Sequence, residues 1–174
     1  MIVLETPRLY LRKLRWDDLD DLVARYSDPE VMIYISGKPY QRQETQAHLQ
    51  RYLEMEQQYG FGLWATIYRE NGRFIGRCGL IPQEIEGVAE VEIGYMLAKA
   101  YWGKGLATEA ALAIRNYGFH KLGCSRLISL IDPQNQASMR VAAKIGLRYE
   151  KEIYKWQRRI FLFAVQVTNR KENP

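Results

Sequence analysis

The sequence predicts a mixed α/β (α+β) fold, with helices carried on one sheet, and three observations predict it. Apolar spacing alternates repeatedly between the helical period and a period of two along the 174 residues. Asn71-Gly72, a dipeptide that tolerates the positive φ of a tight turn, separates two period-two runs and so marks a hairpin. A strand-like run ending at Leu97 passes through a loop containing Gly103 and Gly105 into a strongly periodic helix. No repeat, low-complexity tract or Pro/Gly/Ser-rich linker divides the chain, so residues 1–174 are expected to form one domain.

Leu9, Leu11 and Leu14 give a first strand. Leu19, Leu22, Val23 and Tyr26 follow at helical spacing behind Asp17 and Asp18, in a helix expected to stop before Pro29. A second helix, from about 43 to 59, has a short apolar stripe of Leu49, Tyr52 and Leu53 and closes at Gly60. Segments 63–69 and 73–81 form the hairpin around Asn71-Gly72. The next strand, 89–97, sets Val91, Ile93, Tyr95 and Leu97 on one face and Glu90, Glu92, Gly94 and Met96 on the other. Leu106, Ala110, Ile114 and Tyr117 repeat along a helix from about 105 to 122. Pro133 stops a strand at 126–131, and a short helix from about 136 to 145 ends at Gly146. Two strands near 149–156 and 159–167 finish the chain; the second is nearly continuous in apolar residues and should be inner and buried.

Composition excludes several classes. Apolar residues are 47% and charged residues 26%, far from a disordered profile. The longest apolar run, 160–165, is about a third of a membrane span, so no membrane partner is expected. The first residues lack the basic flank and apolar segment of a secretory signal, which points to a cytoplasmic protein. Cys78 and Cys124 are far apart, and only His48 and His120 could join them as soft ligands, so neither a disulfide framework nor a metal site is expected. Four of the five net positive charges fall in 151–174, where Lys151, Lys155, Arg158, Arg159, Arg170 and Lys171 outnumber Glu152 and Glu172. Such an end suits an anionic partner such as nucleic acid, a ribosome or a phosphorylated cofactor, although a solvated surface is the commoner origin of such charge.

Strand, glycine loop and helix together form an anion-binding arrangement, because unsatisfied N–H groups and the helix dipole converge at the helix entrance. The spacing excludes two phosphate binders. A dinucleotide fingerprint needs glycine where Thr108 stands, and a triphosphate loop needs Ser or Thr where Gly105 stands. Trp102-x-x-Gly105-x-Ala107 instead resembles motif A of the GNAT (general N-acetyltransferase) superfamily, with Trp102 replacing the usual Gln or Arg. The segment from Asn135 through Ser138 and Lys144 to Gly146-Leu147 resembles the family's motif B, although Ala142 stands where many members carry a tyrosine acid. Taken alone, Asn135 and Gly146 are also ordinary helix caps. Asn-x-x-Ser, the opening Glu5-Thr-Pro-Arg-Leu-Tyr-Leu-Arg12 and Glu92-Ile-Gly-Tyr95 resemble the ribosomal-protein N-terminal acetyltransferase (RimJ/RimL-like) branch. Asp28-Pro-Glu-Val31, Gly62-Leu-Trp64 and Phe163-Ala164 extend that resemblance over nearly the whole chain.

The resemblance implies a mixed, mostly antiparallel sheet of six or seven strands, splayed near its middle to admit acetyl-CoA, with helices on both faces. It implies that backbone groups of Gly103, Lys104, Gly105, Leu106, Ala107 and Thr108 hold the diphosphate. Tyr95, Met96 and Leu97 would pair with the pantetheine arm, and Leu97 N–H would face the developing oxyanion. Asn135 and Ser138 complete the cofactor side, with Ser138 as proton donor. Acetyl-CoA is thus the cosubstrate and a primary amine the acceptor. Branch resemblance ranks a protein N-terminal amine first, with ribosome association, and a small amine (polyamine, amino acid or antibiotic) second. The oligomeric state, monomer or homodimer, is not readable.

An attacking amine must be neutral, so a base is needed. Glu92 is the candidate, acting directly or through water; repulsion from Glu90, or burial, would raise its pKa usefully. A solvated strand face, or pairing with basic neighbours, accounts for both carboxylates equally well. Gly94 would allow a bulge or close approach beside the cofactor. Neither cysteine has a signature for a covalent route. Trp16 and Tyr34 are candidates for lining an acceptor groove, though core packing is the commoner use of such residues. Two other classes remain: a non-catalytic acetyl-CoA-binding module, motivated by Trp102 and Ala142, and a nucleic-acid binder using Arg158 and Arg159.

Overall fold

A computed structural model describes residues 1–167. The basic residues Arg170 and Lys171, with Glu172, lie outside the described residues. Among the described residues eight strands form one sheet, in the order β1-β2-β3-β4-β5-β6-β8-β7. They are β1 (Ile2–Glu5), β2 (Leu9–Lys13), β3 (Leu63–Tyr68), β4 (Arg73–Ile85), β5 (Val88–Leu97), β6 (Arg126–Ile131), β7 (Arg148–Lys155) and β8 (Arg158–Gln166). The helices are α1 (Leu19–Tyr26), α2 (Pro29–Met32), α3 (Arg42–Tyr59), α4 (Leu106–His120) and α5 (Gln136–Lys144). All neighbouring strands are antiparallel except β5 and β6.

Eight strands replace the expected six or seven because β1 adds a four-residue edge strand, too short to show alternation. Pro29 does not simply end the helical region. It stands at the first position of α2, where its missing N–H is no loss, and the Asp28 side chain caps that turn by accepting from Glu30 N–H at 2.9 Å. The Asn71-Gly72 hairpin joins β3 and β4 as expected, with Gly72 at φ 68°. Gly94 lies in an unbroken register opposite Gly79, so of the two uses expected of it, a bulge or a close approach, the bulge is absent. Its close neighbour is the Ile81 side chain, whose Cδ1 lies 2.7 Å from where a Cβ would stand.

The two sides of the sheet are packed differently. Leu106, Ala110 and Ile114 of α4 and Ala142 of α5 meet Leu11, Trp64, Ile75, Cys78, Ile93 and Leu97. On the opposite side, Leu22 and Tyr26 of α1 and Leu49 of α3 cover Ala65, Ile67 and Met96. Further along that side Ile85, Ile128, Ile153, Ile160 and Leu162 form a separate small cluster. Burial at these densities makes each large side chain worth a few kcal/mol, about 2–5 for a leucine cut to alanine. Between the two clusters the sheet opens: β5 and β6 share one register pair, Glu92 with Ile128. That gap is the splay the resemblance implies.

Trp16 is half exposed and lines a surface hollow of about 350 Å³ with Gln43, Gln46, Ala47 and Gln50. Arg158 donates to the carbonyls of Tyr34 at 3.2 Å and Ile35 at 3.0 Å and lies 3.6 Å from Asp132, and Arg159 pairs with Glu152 at 2.6 Å. The described part of the basic end is therefore largely neutralised by its neighbours. No helix among the described residues is long and apolar enough to cross a membrane.

Candidate active site

The loop between β5 and α4 leaves backbone donors free. After a single 3-10 turn at Lys99–Tyr101, Gly103 and Gly105 take φ values of 72° and 76°, a region that side chains with a Cβ rarely adopt. Gly105 is the N-cap of α4, and no side chain caps that helix. The N–H groups of Leu106, Ala107 and Thr108 therefore have no intrahelical partner, and the helix dipole adds positive potential at the same point. Lys104 lies beside it, its Nζ 5.4 Å from the centre of the Tyr101 ring.

Arg8 braces this loop. Its guanidinium donates to the Lys104 carbonyl at 2.8 Å and pairs with Glu109 at 2.7 Å. Glu109 also accepts from Thr6 Oγ1 at 2.6 Å and from Arg8 N–H at 2.9 Å. Burial would raise the Glu109 pKa, yet these bonds hold it below its ordinary value. Sequence reasoning assigned neither residue a role, although Arg8 sits within the opening segment that carried the family resemblance. Trp102 has a different surprise. Its ring is half exposed, and Nε1 donates to the Leu97 carbonyl at 2.7 Å, which ties the loop to the end of β5.

The gap begins where β5 and β6 part. Ser129 Oγ donates to the Ile93 carbonyl at 3.0 Å, and the Leu97 carbonyl is also turned away from β4, toward Trp102. Strand alternation then turns the N–H and C=O of Tyr95, and the N–H of Leu97, toward the gap. Met96 lies between them on the opposite face, buried against α1 and α3.

Glu92 shares the Met96 face. It is 8% exposed and accepts from Gln83 Nε2 at 2.7 Å. Burial pushes its pKa up to about 7, against the opposing pull of Gln83, the Leu130 backbone, Arg77 and Lys155. Repulsion from Glu90 is not the cause. Arg126 binds Glu90 at 3.0 and 3.2 Å and bridges to Glu150 at 2.8 and 2.9 Å, so that carboxylate is neutralised. The pairing reading holds for Glu90, while Glu92 is buried apart.

Ser138 lies on the other face, at the first turn of α5. Its Oγ is 2.8 Å from the Tyr95 hydroxyl, which also donates to the Ser138 carbonyl at 3.0 Å. Burial pushes the Tyr95 pKa up to about 12, so the phenol keeps its proton at neutral pH. Sequence reasoning used only the Tyr95 backbone and missed this hydroxyl. Asn135 Oδ1 accepts from Ser138 N–H at 3.0 Å, the helix-capping contact. Ala142 is fully buried in the core beneath α5. Ser138 and Glu92 thus do not touch; they flank the gap from opposite faces of β5.

Cys78 is buried, and burial pushes its thiol up to about 11. Among the described residues, no group of three or more His, Cys, Asp or Glu is arranged to hold a metal ion.

Residues 8–148 match the family described as Acetyltransferase (GNAT) domain. The uncharacterized protein YkkB of Bacillus subtilis is 42% identical over 161 residues, covering 92% of this chain and 93% of YkkB. The crystal structure of an acetyltransferase from Agrobacterium tumefaciens superposes with a TM-score of 0.82 at 27% identity, covering 94% of this chain and 93% of that one. The ribosomal alpha-N-protein acetyltransferase RimL superposes with a TM-score of 0.80 at 17% identity, covering 96% and 94%, a likeness of fold.

Proposed function

Because this chain belongs to the GNAT acetyltransferase family, we propose that it moves the acetyl group of acetyl-CoA directly to a primary amine, and that the amine is a protein N-terminus. One observation carries this reading: the β5–β6 gap has free helix-entrance donors at its mouth, a buried carboxyl on one face and a hydroxyl pair on the other.

Acetyl-CoA supplies an activated thioester. Backbone N–H groups from Gly103 to Thr108 bind its diphosphate, and the gap-facing groups of Tyr95 and Leu97 hold the pantetheine amides. Leu97 N–H meets the charge that develops on the thioester oxygen. Glu92, with a pKa of about 7, is partly ionised at neutral pH and takes a proton from the incoming ammonium, directly or through water. Ser138 donates toward the departing thiolate and is reprotonated from solvent, which also takes the second proton that the acylated nitrogen sheds; the Tyr95 hydroxyl, which donates to the Ser138 carbonyl, accepts from Ser138 Oγ and holds it in place. Asn135 fixes Ser138 by capping its turn.

The N-terminal acceptor rests on the branch features around Glu92-Ile-Gly-Tyr95 and Asn135-x-x-Ser138, with the reaction in the cytoplasm, near ribosomes. A thiol-release screen over N-terminal peptides, polyamines, amino acids and aminoglycosides tests it. Peptides should be turned over fastest. Binding of acetyl-CoA with no thiol release from any class would overturn catalysis and leave a cofactor-binding module.

A further inference from the structure

Arg77 of β4 is a buried ionisable group that the reaction above does not use. It is 7% exposed, and its Nε donates to the Tyr26 hydroxyl at 2.5 Å. Its guanidinium carbon lies 5.7 Å from the centre of the Tyr26 ring and 5.4 Å from that of Tyr52. No carboxylate among the described residues lies within ion-pair distance; its surroundings are Tyr26, Tyr52 and Cys78. Neither terminal nitrogen bonds to a described protein atom, and neither is sealed from solvent-accessible space. A buried cation is ordinarily matched by an anion, because aromatic faces and one phenol replace only part of its lost hydration.

Its place in the sheet says where the missing anion would come from. Arg77 pairs in register with Met96, and Glu92 shares that face of β5 four residues earlier. The charge of Arg77 is felt by Glu92 on one side and by His48 on the other. His48 does not compete for an anion, since burial holds its pKa down at about 4 and keeps it neutral. The acceptor side of the gap thus presents a proton-accepting carboxyl and, beyond it, an unanswered guanidinium.

We propose that Arg77 is a specificity-determining residue that binds a carboxylate carried by the acceptor, so that the preferred substrate is a peptide with an acidic side chain close to its N-terminal amine. The ammonium faces Glu92 and the carboxylate faces Arg77. Arg77 and Glu92 stand on neighbouring strands of one face, four residues out of register, so a peptide, whose amine and side-chain carboxylate lie on different residues, spans more of that separation than a free α-amino acid does. A polyamine would bring a second cation against Arg77 and is disfavoured. This inference rests on the reading of the Glu92 face as the acceptor side.

The test compares matched acceptors, an Ala-Asp and an Ala-Asn N-terminal peptide, with free aspartate and spermidine alongside. Wild type should favour the Asp peptide by at least about tenfold in kcat/KM, a discrimination typical of a desolvated charge contact. Arg77→Met should remove that preference through a higher KM for the Asp peptide, and Arg77→Lys should restore part of it. Equal rates for the two peptides in wild type, an equal loss on both in Arg77→Met, or faster turnover of spermidine or free aspartate would overturn the proposal. If no acceptor releases thiol, the catalytic reading fails by itself. Calorimetric titration of the Asp peptide into the CoA complex then decides the role of Arg77: heat in wild type that is lost in Arg77→Met supports it, and no heat in wild type overturns it. Circular dichroism of Arg77→Met separates a folding defect from either result.

Discussion

The two faces of β5 are both largely buried between Glu92 and Leu97, yet they handle a titratable group in opposite ways. On the α1 and α3 face, Glu92 has one side-chain partner among the described residues, Gln83, and burial lifts its pKa to about 7. On the α4 and α5 face, the Tyr95 hydroxyl is satisfied twice by Ser138, and burial lifts its pKa to about 12, keeping it neutral. The difference teaches how one strand sends a buried carboxyl and a buried phenol to opposite faces. Residues 92 and 95 are an odd number apart, so the pleat alone sends them to opposite sides of one gap. The same alternation turns the Leu97 N–H into that gap between them.

The most damaging way to test this comparison is Glu92→Gln. It should lower kcat by about 100- to 1000-fold and abolish the rise in rate through pH 7, while CoA affinity stays within about twofold. A retained pH profile would remove the acceptor-face base. Gly105→Trp should act on neither face but on the mouth they share. The left-handed φ of 76°, which a residue with a Cβ rarely adopts, and the bulk of an indole in the loop should weaken CoA binding by about 10- to 100-fold in a direct titration, with kcat at saturation much less affected. On the other face, Ser138→Ala and Tyr95→Phe should each lower kcat by about 3- to 10-fold. Their double variant should be little worse than either single, and full additivity would mean that the two hydroxyls act separately.

The remaining effect is on stability rather than on rate or binding. The Glu92 pKa is raised from 4.5 unfolded to about 7 folded, so its protonated form stabilises the fold below pH 4.5 and that contribution is lost as pH rises through 7. Glu92→Gln should therefore gain on wild type with rising pH, by up to about 3 kcal/mol at alkaline pH. Thermal unfolding at pH 5 and pH 8.5 checks the sign; a gap between the proteins that does not change with pH would mean that burial is not what shifts this carboxyl.

The parts of this design that were legible in the sequence are local. Pro133 and the apolar run placed β6 at Arg126–Ile131, and the glycine spacing placed a loop with two left-handed glycines at the start of α4. Trp102 looked like a departure because a sequence cannot show its Nε1 reaching back to Leu97. Arg126 pairs with Glu90, 36 residues away, and Tyr95 meets Ser138, 43 residues away. Both contacts depend on strand order across the sheet, which periodicity does not encode. For that reason burial and repulsion could not be separated as causes of the Glu92 shift until the packing was known. β1 and α2 were missed for another reason: four residues are too few for a period to emerge, and a proline that stops one helix also begins the next.

Calorimetric titration of CoA into wild type and Gly105→Trp probes the central claim most directly, because base and acid have a function only if the gap holds the thioester carrier. The account predicts one-to-one binding by wild type and a loss of at least tenfold in the variant. No heat with wild type, or equal affinity in both proteins, would contradict it.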